Sequence, residues 1–246
     1  MTEKKKGKHK VLKLLLSTVA AIVVVFAAVF FIYVSDYMHS GQDAKAALES
    51  AKVAVTKFNQ GVSFGNPDAD TGYIFYPGGK VEYTAYAPIM ESVAEGNVFC
   101  VIKKMPFNLA VFDISAASDI IKKYPNVKHW YIGGHSLGGA MAAILAAQQP
   151  KLFDGVILLA AYPTKDLSNS GLRVLTLYGS EDKVLKMDSL EKGRTLMPVD
   201  YKEICINGGN HGQFGDYGLQ AGDGTAQITP SEQWKETTEA ILSFIN

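Results

Sequence analysis

Residues 131–143 read YIGGHSLGGAMAA: an apolar run, then Gly134-His135-Ser136-Leu137-Gly138, then small residues at helical spacing. A serine with a glycine two positions before it and another two after it is the pattern of a nucleophile on a sharp strand-to-helix turn, its Oγ held clear of the backbone. A side chain at either glycine would crowd the neighbouring backbone. The helix beginning beside Ser136 aims unpaired N–H groups and the positive end of its dipole at the reacting centre. The chemistry predicted is acyl transfer through a covalent acyl-serine.

Such a serine needs a base to take its proton and an acid to orient that base. Of the five histidines, His9 and His39 flank a long apolar segment. His129 opens the strand-like run that leads to Ser136, so it sits at the far end. His135 adjoins the serine and is expected to point elsewhere. His211, in the glycine-rich loop NGGNHGQFGDYG after the last strand-like run, is the expected base. The expected acid is Asp182 in YGSEDKV, which follows an apolar strand and gives the chain order Ser136, Asp182, His211. Glu181 is the neighbouring alternative. Asp154 precedes its strand, and Asp188 and Glu191 read as solvated helix charges. An oxyanion needs two backbone donors. One is expected from Leu137; the other from the loop Tyr76-Pro77-Gly78-Gly79-Lys80-Val81, with Gly79 and Lys80 both open.

These residues must be carried by a scaffold, and the text from Lys52 onward supplies one. Strand-like runs fall at 52–58, 60–64, 73–77, 97–103, 128–134, 155–161, 173–179 and 201–207. Helical patterns fall at 83–94, 111–123, 136–149, 186–196 and 231–245. Continuous apolar strands alternating with helices predict an α/β fold: a mostly parallel sheet of about eight strands, covered on both faces. Ligands in such sheets bind beyond the carboxyl ends of the strands, where Ser136, Asp182 and His211 all fall. The connection 162–172 leaves no room for a substantial lid. The loop Lys103–Asn108 lies at the same edge, as candidate pocket lining or as core packing through Met105 and Phe107.

Leu14 to Val34 is uncharged and long enough to cross a hydrocarbon core. It exceeds the apolar region of a cleaved signal peptide and ends in aromatics suited to an interface. Six lysines and one acid lie within the first 35 residues, leaving 18 basic and 23 acidic residues in the rest. The lysines are expected to stay cytoplasmic and the body to lie outside. An acidic body argues against nucleic acid as a partner. The expected organisation is a basic tail and transmembrane signal anchor (1–35), a juxtamembrane linker (36–51) and a catalytic domain (52–246). Cys100 and Cys205 read as two separate buried thiols, with no metal-site spacing.

In this order, FYPGGKVEYTAYAPIM, KKMPFNLAVFD, GGHSLGGAMAA, LYGSEDKV and GGNHGQFGDYG resemble the α/β-hydrolase-fold family, whose relatives include dienelactone-hydrolase-like and esterase-like proteins. The resemblance spans roughly 54–246 and implies the α/β-hydrolase fold with its Ser-His-Asp triad. A lipase-type His-Gly-Gly-Gly is absent, since Tyr76-Pro77 stands where that histidine would be. A serine stands where a dienelactone hydrolase proper resembles a cysteine enzyme. The expected function is therefore a membrane-anchored, extracytoplasmic serine hydrolase acting on small carboxylic esters, with no cofactor and no metal. An acyltransferase on the same triad and a non-catalytic binding protein on the same scaffold are the alternatives.

Overall fold

The computed structural model describes residues 2–246, with side chains placed at residue 10 and from residue 12 onward. The chain divides into two compact units, one ending at Tyr37 and one running Met38–Asn246. The first is a single helix, α1 (Thr2–Ser35). Its segment Leu12–Ser35 has a mean hydropathy of 2.9 and is long and apolar enough to cross a membrane. At 1.5 Å per residue its 24 residues span about 36 Å, against about 30 Å of hydrocarbon.

The second unit contains α2 (Gln42–Ala47), β1 (Val55–Phe58), β2 (Gly61–Phe64), β3 (Thr71–Tyr76), α3 (Ala87–Glu95), β4 (Phe99–Lys103), α4 (Ala116–Lys123), β5 (His129–His135), α5 (Leu137–Gln148), β6 (Gly155–Leu159), β7 (Arg173–Gly179), α6 (Met187–Arg194), β8 (Tyr201–Ile206) and α7 (Pro230–Ile245). The strands form one sheet in the order β1-β2-β4-β3-β5-β6-β7-β8. Pairing is antiparallel at the β1–β2–β4 end and parallel elsewhere. The central strands β3, β4, β5 and β6 are buried almost throughout because helices cover both faces. One apolar core joins the sheet to α3 and α7 through Ile89, Met90, Val93, Ile241 and Phe244. The other joins it to α4 and α5 through Ala117, Ile120, Ala142, Ala143 and Leu145. β6 and β7 are connected without a helix, as the short 162–172 stretch predicted.

Two expectations need correction. Residues 38–47 belong to the compact unit: Met38 bridges Val81, Ala44 and Ala47 are buried, and Asp216 accepts from the Gly41 N–H on its carbonyl and from the Ala44 N–H on its carboxylate. Cys100 is buried in β4, but Cys205 is exposed because β8 is the edge strand; β3, β5, β6 and β7 separate the two free thiols.

Candidate active site

Ser136 joins β5 to α5 in a conformation few L-residues adopt, φ 50° and ψ −120°. Such a backbone costs about 1–3 kcal/mol and persists only where its surroundings impose it. Here backbone packs on backbone. A Cβ at Gly138 would strike the carbonyl oxygens of Tyr76 and Pro77, and one at Gly134 would lie 2.7 Å from the Gly138 carbonyl carbon and 2.8 Å from the Gly139 nitrogen. The two glycines therefore let the elbow close against the end of β3. The same contact draws the loop after β3 to the start of α5.

Asp182 and His211 follow β7 and β8, whose carboxyl ends are neighbours. Asp182 Oδ2 lies 2.8 Å from His211 Nδ1, with both side chains almost wholly buried. The other oxygen, Oδ1, accepts from the Val184 and Leu185 N–H groups, each at 2.8 Å. This fixes the carboxylate from both sides and assigns the Nδ1 proton to the bond with Asp182. His211 Nε2 is buried and has no hydrogen-bond partner among the described residues. Glu181 is placed differently: it accepts from Ser180 Oγ, and its own N–H goes to the Gly209 carbonyl. Ser136 and His211 both line a cavity of about 380 Å³ with apolar walls from Leu137, Ala140, Met141, Val184 and Leu185. A larger groove, about 800 Å³ and bordered by α2, α3 and α7, shares no residue with it.

The loop after β3 separates the two oxyanion candidates. The Gly78 N–H donates to Tyr86 Oη at 3.0 Å, and the Lys80 N–H donates to the Asn108 carbonyl at 2.9 Å. The Gly79 N–H has no acceptor among the described residues. A Cβ on Gly79 would lie 2.9 Å from Leu137 Cδ2, so its backbone runs beside Leu137. Leu137 opens α5, so its own N–H has no partner within the helix.

The family model of the alpha/beta hydrolase family matches residues 72–235. That span holds the elbow, Asp182 and His211. The chain belongs to the alpha/beta hydrolase family. Its fold is that of several solved structures at low identity: a predicted CIB-like hydrolase from Thermoplasma acidophilum (15% identity, TM-score 0.56, covering 78% of this chain and 99% of that one); Est1E from Butyrivibrio proteoclasticus with ferulic acid bound (14%, 0.56, 78% and 99%); and a monoacylglycerol lipase from Paleococcus ferrophilus (12%, 0.58, 78% and 99%). No curated protein matches the chain.

In this alpha/beta hydrolase several supporting residues escaped the sequence reading. His135 is fully buried, with its ring centroid 4.5 Å from that of His211 and its Nδ1 2.9 Å from Tyr86 Oη. Tyr86 Oη accepts from Gly78, so its single proton goes to Nδ1 and the His135 proton belongs on Nε2. Burial first, then the adjacent His211 ring, hold the His135 pKa well below the ordinary histidine value; the His211 backbone acts in the opposite direction. Gln233, wholly buried on α7, grips the His211 loop twice: Oε1 accepts from Asn210 N–H at 3.0 Å and Nε2 donates to the Asn210 carbonyl at 2.8 Å. A capping box at Thr229 and Glu232, with Pro230 in the first turn, starts that helix in the right place. Asp223 accepts from the N–H groups of Gly212, Lys183 and Gly224, tying the loop that carries His211 to the loop that carries Asp182. In the loop after β4, Met105 is core and Phe107 is exposed; neither borders the cavity. Tyr217 is buried against Tyr86 and His135.

Proposed function

We propose that this chain is a serine hydrolase that cleaves small carboxylic esters. Ser136 Oγ attacks the ester carbonyl and His211 Nε2 takes its proton. The resulting imidazolium is held by Asp182, which keeps the ring in the tautomer that leaves Nε2 as the acceptor. The oxyanion is received by the N–H groups of Leu137 and Gly79; Lys80 is set aside because its N–H is already given to Asn108. His211 returns the proton to the leaving alcohol, then activates water to release the acid from Ser136. The observation that carries this reading is one cavity lined by both a strained serine and a buried histidine, the latter carboxylate-held with its second nitrogen unspent.

The reading extends to location. The lysines before the apolar helix hold the N-terminus in the cytoplasm, and the helix serves as an uncleaved anchor with the catalytic body outside. The test of function is hydrolysis of a 4-nitrophenyl ester series by the detergent-solubilised full chain beside Ser136→Ala. Loss of about 10⁴-fold or more in kcat supports the assignment; a variant keeping more than a few per cent of wild-type turnover overturns it.

A further inference from the structure

The cavity at Ser136 is mostly apolar, and its few polar groups are one-sided in their chemistry. Besides Ser136 and His211, its polar lining is Tyr162, Thr164 and Lys186, which bring two hydroxyls and an ammonium and no carboxylate or amide. None of the three side chains has a hydrogen-bond or ion-pair partner among the described residues. The acids close by in sequence are committed elsewhere. Asp182 holds His211 and two backbone N–H groups, Asp223 holds three, Glu181 accepts from Ser180, and Asp166 accepts from the Ser168 N–H. Asp188 makes no ion pair with Lys186.

The fold brings the segments that carry these residues to one cavity. The Oδ1 bonds from Asp182 to Val184 and Leu185 shape the turn that delivers Lys186 to the start of α6, so the carboxylate that orients His211 also orients the approach to Lys186. The connection after β6 packs on α6: a Cβ at Gly193 would lie 3.1 Å from Tyr162 Cβ and 3.3 Å from Pro163 Cδ. Lys186 and Tyr162 thereby line one cavity from two different loops. Lys186 and Thr164 are exposed and Tyr162 is half-buried, so their polar groups stay open to a ligand; an ammonium without a carboxylate partner selects an anion, because charge-assisted hydrogen bonds are about twice as strong as neutral ones.

We propose that the substrate is an ester bearing an anionic group, carboxylate or phosphate, beside a short apolar portion. The apolar portion lies against Leu137, Met141 and Leu185, and Lys186 with Tyr162 and Thr164 receives the anion. This rests on the serine-hydrolase reading above. The test compares matched esters on the full chain. One arm carries the anion on the acyl side: 4-nitrophenyl hemiglutarate against 4-nitrophenyl valerate. The other carries it on the alcohol side: 4-carboxyphenyl and 4-phosphonooxyphenyl butyrate against phenyl butyrate. The readout is the ratio of kcat/KM for the anionic ester to that for its neutral partner, relative between proteins, so that intrinsic ester reactivity cancels. In at least one arm Lys186→Ala lowers this ratio about tenfold through KM, Lys186→Arg retains most of it, and Lys186→Glu lowers it further. Added salt erodes the wild-type ratio. Neutral esters cleaved with ratios that do not respond to Lys186 overturn this inference and leave the hydrolase reading intact. No cleavage of any ester, with Ser136→Ala indistinguishable from wild type, overturns both.

Discussion

Asp182→Asn separates the two roles the structure gives that carboxylate. The amide oxygen can still accept from the Val184 and Leu185 N–H groups, as Oδ1 does now at 2.8 Å each. The amide nitrogen replaces Oδ2 and can only donate toward His211 Nδ1. That forces the histidine proton onto Nε2, the atom that must accept from Ser136. The same tautomer error costs a serine protease about 10⁴ in kcat, or about 5.5 kcal/mol of transition-state stabilisation at 1.36 kcal/mol per decade. Folding should change little, because the turn keeps its acceptor. Asp182→Ala differs: it orphans two N–H groups beside a buried site, at about 1–3 kcal/mol each, so about 2–6 kcal/mol of stability goes with the activity. Glu181→Gln keeps an oxygen that can accept from Ser180 Oγ at this exposed contact, loses only the charge, and should stay within about twofold of wild type. The assay is kcat on an activated ester alongside urea unfolding for the three variants. Asp182→Asn retaining more than a tenth of wild-type turnover, or Glu181→Gln falling below it, would remove Asp182 as the residue that orients His211.

Three further expectations follow from the supporting structure. Gln233→Leu strands the Asn210 N–H and carbonyl in a buried setting and should lower unfolding free energy by about 2–5 kcal/mol, with a fall in kcat as the His211 loop loosens; a loss under about 1 kcal/mol contradicts the clamp. His135 is neutral in the folded chain at pH values where an unfolded histidine takes a proton, so the unfolded state binds more protons below about pH 6.5 and stability must fall with pH there, by up to about 1.4 kcal/mol per unit. Urea titrations at pH 7.5, 6.5 and 5.5 should show that slope, and His135→Asn should reduce it; an unchanged slope removes His135 as its source. In intact cells, protease added outside should degrade the body while the full chain fractionates with membranes; a body protected until lysis reverses the orientation, and release by carbonate removes the anchor.

The centre of the sheet was legible because buried strands are written as largely apolar runs, as in β3, β4, β5, β6 and β7; the edge strands β1 and β8 also fall on strand-like runs, although polar residues interrupt them. The candidate site was legible at its chain positions: an elbow is a local pattern, and loops after successive strands must meet at one edge, which is how Asp182 and His211 come within 2.8 Å across 29 residues. What stayed hidden depends on partners remote in sequence. The contrast between Gly79 and Lys80 is set by the Asn108 carbonyl, and the Tyr86–His135 contact by a close approach of the β3 loop to β5. Residues 38–47 read as a polar linker because the Asp216 that anchors α2 lies more than 170 positions away. Cys205 carried an apolar neighbourhood like that of Cys100, and only its place on the edge strand exposes it.

The proposed function stands on Ser136 as an activated nucleophile. Incubating the folded full chain with a fluorophosphonate and mapping the adduct by peptide mass spectrometry tests it most directly. The expected result is near-stoichiometric modification on Ser136, abolished in Ser136→Ala and slowed by orders of magnitude in Asp182→Asn. A folded chain that remains unlabelled, or an adduct on any other residue, would contradict it.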